Sequence, residues 1–128
     1  MNREIKFRAW HKDLKKMFKI GQITLEKGTW NFEPNDRDFI GMSIPYQPSF
    51  VLMQYIGLHD KNGKEIYEGD ILKSIQWNDI YLVKQIRTAY YLCRKGKNGF
   101  NKITTWNNAE KSEVIGNIYD NPELLGGE

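Results

Sequence analysis

Apolar and polar side chains alternate along most of this chain. In residues 4–10, Ile5, Phe7 and Ala9 share one side and Lys6, Arg8 and Trp10 the other. That two-residue period marks a half-buried strand. Residues 17–25 give a second strand, with Gly21 as the natural place for a bulge. The polar stretch 11–16 between them predicts a hairpin, and a short third strand is expected at 29–32. Periodicity then stops. Residues 33–50 hold Pro34, Pro45 and Pro48, which lack a backbone donor, and Asn35, Asp36 and Asp38, which favour turns. Phe39, Ile40, Met42, Ile44 and Phe50 give the same stretch apolar anchors. It reads as an irregular, Pro-containing linker between two lobes.

Alternation resumes at residues 51–58, a strand ending at Gly57. Asn62-Gly63 predicts a tight hairpin turn in which both residues take positive φ, with residues 64–67 as the return strand. Glu68-Gly69-Asp70 predicts another turn. Strands are then expected at 71–77, 80–86, 88–94, 100–106 and 113–119. Asn78-Asp79, residues 95–99 and Asn107-Asn108 turn the chain between them, and Pro122 ends further pairing. No segment carries a long helical period. The expected fold is mainly β: an N-terminal β-hairpin lobe over residues 1–50, and over 51–128 a small, partly open SH3-like barrel of short antiparallel strands. The two lobes are expected to act as one cooperative unit.

A chain of 128 residues with 40% apolar content can bury a core without staples. The single cysteine, Cys93, cannot form an internal disulfide, which fits a reducing compartment. The opening residues lack a leader's apolar run, and no stretch is long enough to span a bilayer. A cytoplasmic protein without a membrane partner is expected. Net charge is +3 but unevenly spread. Residues 80–109 carry six basic side chains and no acidic one, while 110–128 carry five acidic side chains against Lys111. Such blocks form a binding surface or neutralise each other across neighbouring strands. The second reading is the more economical.

Chemistry-bearing residues are sparse. His11, His59 and Cys93 are the only soft ligands, and none sits at ligand spacing from another. Asp60-Lys-Asn-Gly63 with Glu65 lacks the ligand order of a calcium loop. Glu65, Glu68 and Asp70 form an acidic cluster, for which turn capping is the simpler role. Gly57, Gly63 and Gly69 do not open a helix and make no phosphate loop. No nucleophile–base set can be assembled, so neither an enzyme nor a cofactor is expected. The best candidate surface is basic and aromatic: Lys84, Arg87, Tyr90, Tyr91, Arg94, Lys95, Lys97 and Lys102. Cationic grooves with stacking aromatics bind single-stranded nucleic acid. Strand aromatics are, however, more often core. Tyr90 and Tyr91 must face opposite sides of a regular strand.

Three blocks carry a resemblance. They are Ile5-Lys-Phe-Arg-Ala-Trp10 with Lys15-Lys-Met17; Leu52 to Leu58 continuing through Asp60-Lys-Asn-Gly-Lys-Glu-Ile-Tyr-Glu-Gly-Asp-Ile71; and Glu113 to Tyr119 with Asn121-Pro-Glu-Leu-Leu125. In these the chain resembles the YopX family of small phage and prophage proteins. One departure is His11, where the family prefers Asp after the tryptophan. The resemblance implies a mainly β fold and a phage or prophage origin, hence a bacterial host cell. It supplies no catalytic residues. Two roles follow as expectations. The first is a non-enzymatic accessory protein acting as a protein-interaction or self-assembling β module, whose partner is itself or a host or phage protein. The second is a nucleic-acid binder using strands 81–106. The interaction role is placed first because +3 is a weak charge for binding nucleic acid.

Overall fold

The structure, a computed structural model, describes residues 5–34, 44–45, 49–74, 79–87, 89–96, 99–103 and 107–125. It is mainly β. The strands are β1 (Phe7–His11), β2 (Lys16–Glu26), β3 (Thr29–Pro34), β4 (Ile44–Pro45), β5 (Phe50–His59), β6 (Glu65–Tyr67), β7 (Asp70–Ser74), β8 (Ile80–Ile86), β9 (Ala89–Gly96), β10 (Gly99–Ile103) and β11 (Ser112–Asn117). A single helical turn, Asn107–Glu110, stands where a plain turn is expected, and a 3-10 turn, Pro122–Leu125, follows β11. The strand ends expected at 75–77 and 104–106 lie outside the described residues. Among the described residues no helix is long and apolar enough to cross a membrane. The chain forms two compact units that divide between Gln54 and Tyr55, inside β5. The boundary expected after residue 50 falls at the start of that same strand.

In the first unit the strand order is β4-β3-β2-β1-β5, all antiparallel. The register pairs Ala9 with Phe18 on one side and with Leu52 on the other. The bulge expected at Gly21 is present, since the β2–β3 register shifts between Ile20 and Gln22. An extra residue reverses the alternation beyond it. Ile23 and Leu25 therefore join Ile20 on the face of Phe18, and Ile20 and Ile23 pack against the buried Ala9, Phe18, Phe32 and Phe50. Phe32 and Phe50 meet edge to face at 5.5 Å. β2 and β3 are joined by Lys27-Gly28, whose φ values of 51° and 79° are both left-handed. A two-residue turn of this kind matches strand twist, and glycine adopts it without strain.

In the second unit the C-terminal part of β5 pairs with β6, and the remaining strands form a sheet of order β10-β9-β8-β7-β11. Ile56, Ile66, Leu72, Tyr81, Val83, Leu92 and Ala109 make its core, with Leu58, Tyr90 and Val114 packed against it. The β5–β6 connection differs from the expected two-residue Asn-Gly turn. Only Gly63, at φ 82°, is left-handed. The Gly63 N–H donates to the Asp60 carbonyl at 3.0 Å, and the Asp60 N–H to the Lys64 carbonyl at 2.8 Å. This is a three-residue loop of a regular turn plus one left-handed glycine. The reason is the Asp60 side chain, which accepts the N–H groups of Asn62 at 2.8 Å and Lys64 at 2.9 Å and holds the loop open by one residue.

Candidate interaction surface

The acidic residues of the central stretch are occupied structurally. Besides the two turn amides, Asp60 accepts the Val114 N–H at 2.9 Å, tying the hairpin to β11. Asn62 reaches Glu113 at 3.1 Å, and the Lys61 N–H donates to the Ser112 carbonyl at 3.0 Å, along the same seam. Burial alone raises the Asp60 carboxyl pKa. The three amides and the charge of Lys64 outweigh it and hold the group below its ordinary value. Asp70, buried, accepts the Tyr67 N–H at 2.8 Å, and Glu65 accepts the Tyr67 hydroxyl at 3.3 Å. Gly69 donates to the Val83 carbonyl at 2.9 Å and accepts from Ile118 at 3.0 Å. These carboxylates serve backbone amides and a neighbouring phenol.

The soft ligands are apart. His11 accepts the Leu14 N–H at 3.1 Å and meets the Phe50 ring edge on at 4.8 Å. His59 lies beside Tyr55, and Cys93 is a buried free thiol in β9. Among the described residues no group of His, Cys, Asp and Glu is arranged to hold a metal ion.

The basic and aromatic candidates do not share one face. Tyr81 pairs with Arg94, Val83 with Leu92 and Gln85 with Tyr90, and this is the face that carries the core. Tyr90 packs there, and Arg94 pairs with Asp79 at 3.6 Å. Lys84 and Tyr91 are direct partners on the opposite face. Arg87 sits in the β8–β9 turn with φ 60°. In the backbone register Lys95 is opposite Phe100 and Lys102 opposite Cys93, while Lys97 lies outside the described residues. Lys73, exposed on β7, stands directly opposite Glu113 of the acidic segment. The Tyr81 phenol, buried on the core face, is held above its ordinary value by desolvation and then by the charge of Asp79. The Ser74 hydrogen bond and Arg94 oppose this only in part.

A second surface, in the first unit, escaped the sequence reading. Phe7, Ile23, Trp30, Phe32 and Leu52 line an apolar groove of about 450 Å³. Its rim is open: Leu25 is 58% exposed, Trp30 53% and Leu52 39%, with Ile5 at 68% just before β1. Leu25 and Trp30 are cross-strand partners beside the Lys27-Gly28 turn. Single exposed apolar residues are ordinary, whereas a contiguous group around a groove marks a contact site. None of the five lining side chains ionises, so these residues offer apolar contact. The sequence signal was the alternation itself, read through the Gly21 bulge. Which side of that alternation stays uncovered was not legible.

With this geometry in place, comparison with known proteins adds three findings. No curated protein matches the chain. It is similar to the crystal structure of protein EF1440 from Enterococcus faecalis, with a TM-score of 0.62 and 27% sequence identity over 97% of this chain and 99% of that one. The family described as YopX protein matches residues 6–126, which takes in nearly the whole chain and all of the three motif blocks but Ile5, and the chain therefore belongs to the YopX family.

Proposed function

We propose that this is a non-enzymatic accessory protein, of phage or prophage origin and working in the cytoplasm of a bacterial host, that acts as a protein-interaction β module. The observation that carries this reading is the open apolar groove of the first unit, with Trp30 and Leu25 at its rim. Interface centres are rich in aromatics and poor in charge, and the described residues of the groove wall are all apolar. Affinity capture from prophage-induced cells tests it. Wild-type bait should retain a protein partner, with the bait's own chain counted as one, that Trp30→Glu bait loses while its circular dichroism stays native. Equal recovery on both baits would defeat the reading.

One observation favours nucleic acid as the second reading: exposed Lys84 lies directly across from Tyr91, a cation beside an aromatic ring. The division of the other candidates between two faces and the Arg94–Asp79 pair place it second. Titrating short DNA and RNA at rising salt decides the matter. Charge-driven binding must weaken steeply with salt and drop with Lys84→Glu; no binding at low salt removes it.

A further inference from the structure

We propose that the occupant of the groove is a second copy of this chain, paired about a twofold axis so that Trp30 of each copy seats against the groove of the other. The inference rests on the interaction reading above and names its partner.

Four features of the face carry it. The first is that knob and hole lie on one surface. Trp30, which lines the hollow with Phe7, Ile23, Phe32 and Leu52, is itself 53% exposed, and its cross-strand partner Leu25 stands open beside it. A patch holding both halves of a contact is self-complementary, as a twofold interface requires. The second is charge. Among the described residues the groove lining is uncharged, so these side chains bring no like charges together between facing copies and offer a charged partner nothing to read. Lys16, on the same sheet face, has its ammonium 5.2 Å from the centre of the Phe18 ring.

The third is area. Trp30, Leu25, Leu52 and Ile5 together leave on the order of 400–500 Å² of apolar side chain in water. Two such faces, rim residues included, bury about 1,000 Å², the size at which specific association begins. The fourth is the edge. β4, at the end of the sheet order, is two residues long and ends in Pro45, whose nitrogen cannot donate to an added strand. That blunts growth by edge pairing on that side and leaves the face for assembly. The Lys27-Gly28 turn fixes the hairpin that presents Trp30, so little ordering cost attends its docking.

Light scattering during size exclusion, with sedimentation equilibrium, tests the proposal on the full chain. Wild-type protein at about 100 μM should have the mass of two 15.1 kDa chains. Trp30→Glu and Leu25→Glu, both at exposed positions, should each weaken self-association at least about tenfold with unchanged circular dichroism. Lys84→Glu, on the second unit's sheet, should leave the mass alone. A wild-type monomer, or a dimer indifferent to both rim substitutions, overturns the pairing. A Trp30-dependent assembly larger than two overturns its twofold form. If wild type is a monomer yet still captures a partner through Trp30, pairing fails and the interaction reading stands. If Trp30-dependent capture is also absent, both fall.

Discussion

Replacing Asp60 with alanine removes one carboxylate and leaves three backbone amides without their acceptor. Asn62 and Lys64 are exposed residues, so water can take over their N–H groups, whereas the Val114 bond lies in a partly buried seam. Amides that water re-solvates cost about 0.5–1.5 kcal/mol each, and one left partly buried about 1–3. The total is about 4 kcal/mol. In urea unfolding, with a slope of about 2 kcal/mol per molar, the midpoint should fall by about 2 M. Asp60→Asn sharpens the test. One aspartate oxygen serves the turn and the other serves Val114, and an amide side chain keeps only one oxygen. It should therefore rescue either the turn or the seam, giving an intermediate loss. The pH dependence has a fixed sign. The Asp60 carboxyl lies below its ordinary 3.8 in the folded protein, so its stabilisation is complete above the unfolded value. It disappears as pH falls through the lower, folded value. Wild-type protein should lose stability in that acid window, and Asp60→Asn should lose less. An Asp60→Ala protein within 0.5 kcal/mol of wild type, on the order of the error of such measurements, would refute the role given to this side chain.

Two further outcomes follow from the second unit. A Cβ at Gly116 would lie 2.5 Å from the Asn121 Oδ1 and 2.8 Å from its Cγ. Asn121 is held by its N–H to the Asn117 carbonyl at 2.8 Å and by its Oδ1 accepting the Asn117 N–H at 3.3 Å. Gly116→Ala should therefore lower thermal stability by about 1–3 kcal/mol, and Asn121→Gly in the same chain should recover part of the loss; a neutral Gly116→Ala would show the seam to be slack. Of the seven tyrosines, Tyr81 should ionise above its ordinary 10.0 in an ultraviolet titration. Because folding favours the neutral phenol, its contribution is full below pH 10.0 and is lost as pH rises through the folded value. Tyr81→Phe should flatten that alkaline decline, and an unchanged decline would discount the burial argument.

The legible parts of the fold were those whose cause is local. Ile80–Ile86 was expected with its observed bounds, because its β-branched and aromatic residues follow the turn-forming Asn78-Asp79 pair. The bulge at Gly21 and the capping role of Asp70 were equally readable from single residues. The Asn62-Gly63 loop was misread because its geometry is set by the Asp60 side chain, which also has to reach Val114, 54 residues away. The Lys27-Gly28 turn went unread for a related reason. Lysine seldom takes positive φ, and pairing of Glu26 with Thr29 imposes it from the strands outward.

The candidate surfaces separate the same way. Alternation placed Tyr90 and Tyr91 on opposite sides of a strand, and the structure then packs the partly buried Tyr90 against the core and sets Tyr91 opposite Lys84. What sequence cannot supply is the parity between strands, because each turn and bulge resets it. Six cations on consecutive strands therefore looked like one surface, while pairing sends Arg94 to the core side and Lys84 away from it. The converse holds in the first unit. Leu25 and Trp30 are unremarkable in their own strands. The extra residue at Gly21, absorbed in a bulge, gathers them with Phe7 and Leu52 around one groove. The bulge at Gly21 thus decides that Ile23 and Leu25 share the face of Ile20 although their sequence parity is opposite. Deleting Gly21 removes the extra residue and the bulge together, so plain alternation should keep Ile20, Ile23 and Leu25 on one face and leave the groove in place. The apolar composition of the groove is therefore a property of register, set where the β2–β3 pairing shifts between Ile20 and Gln22.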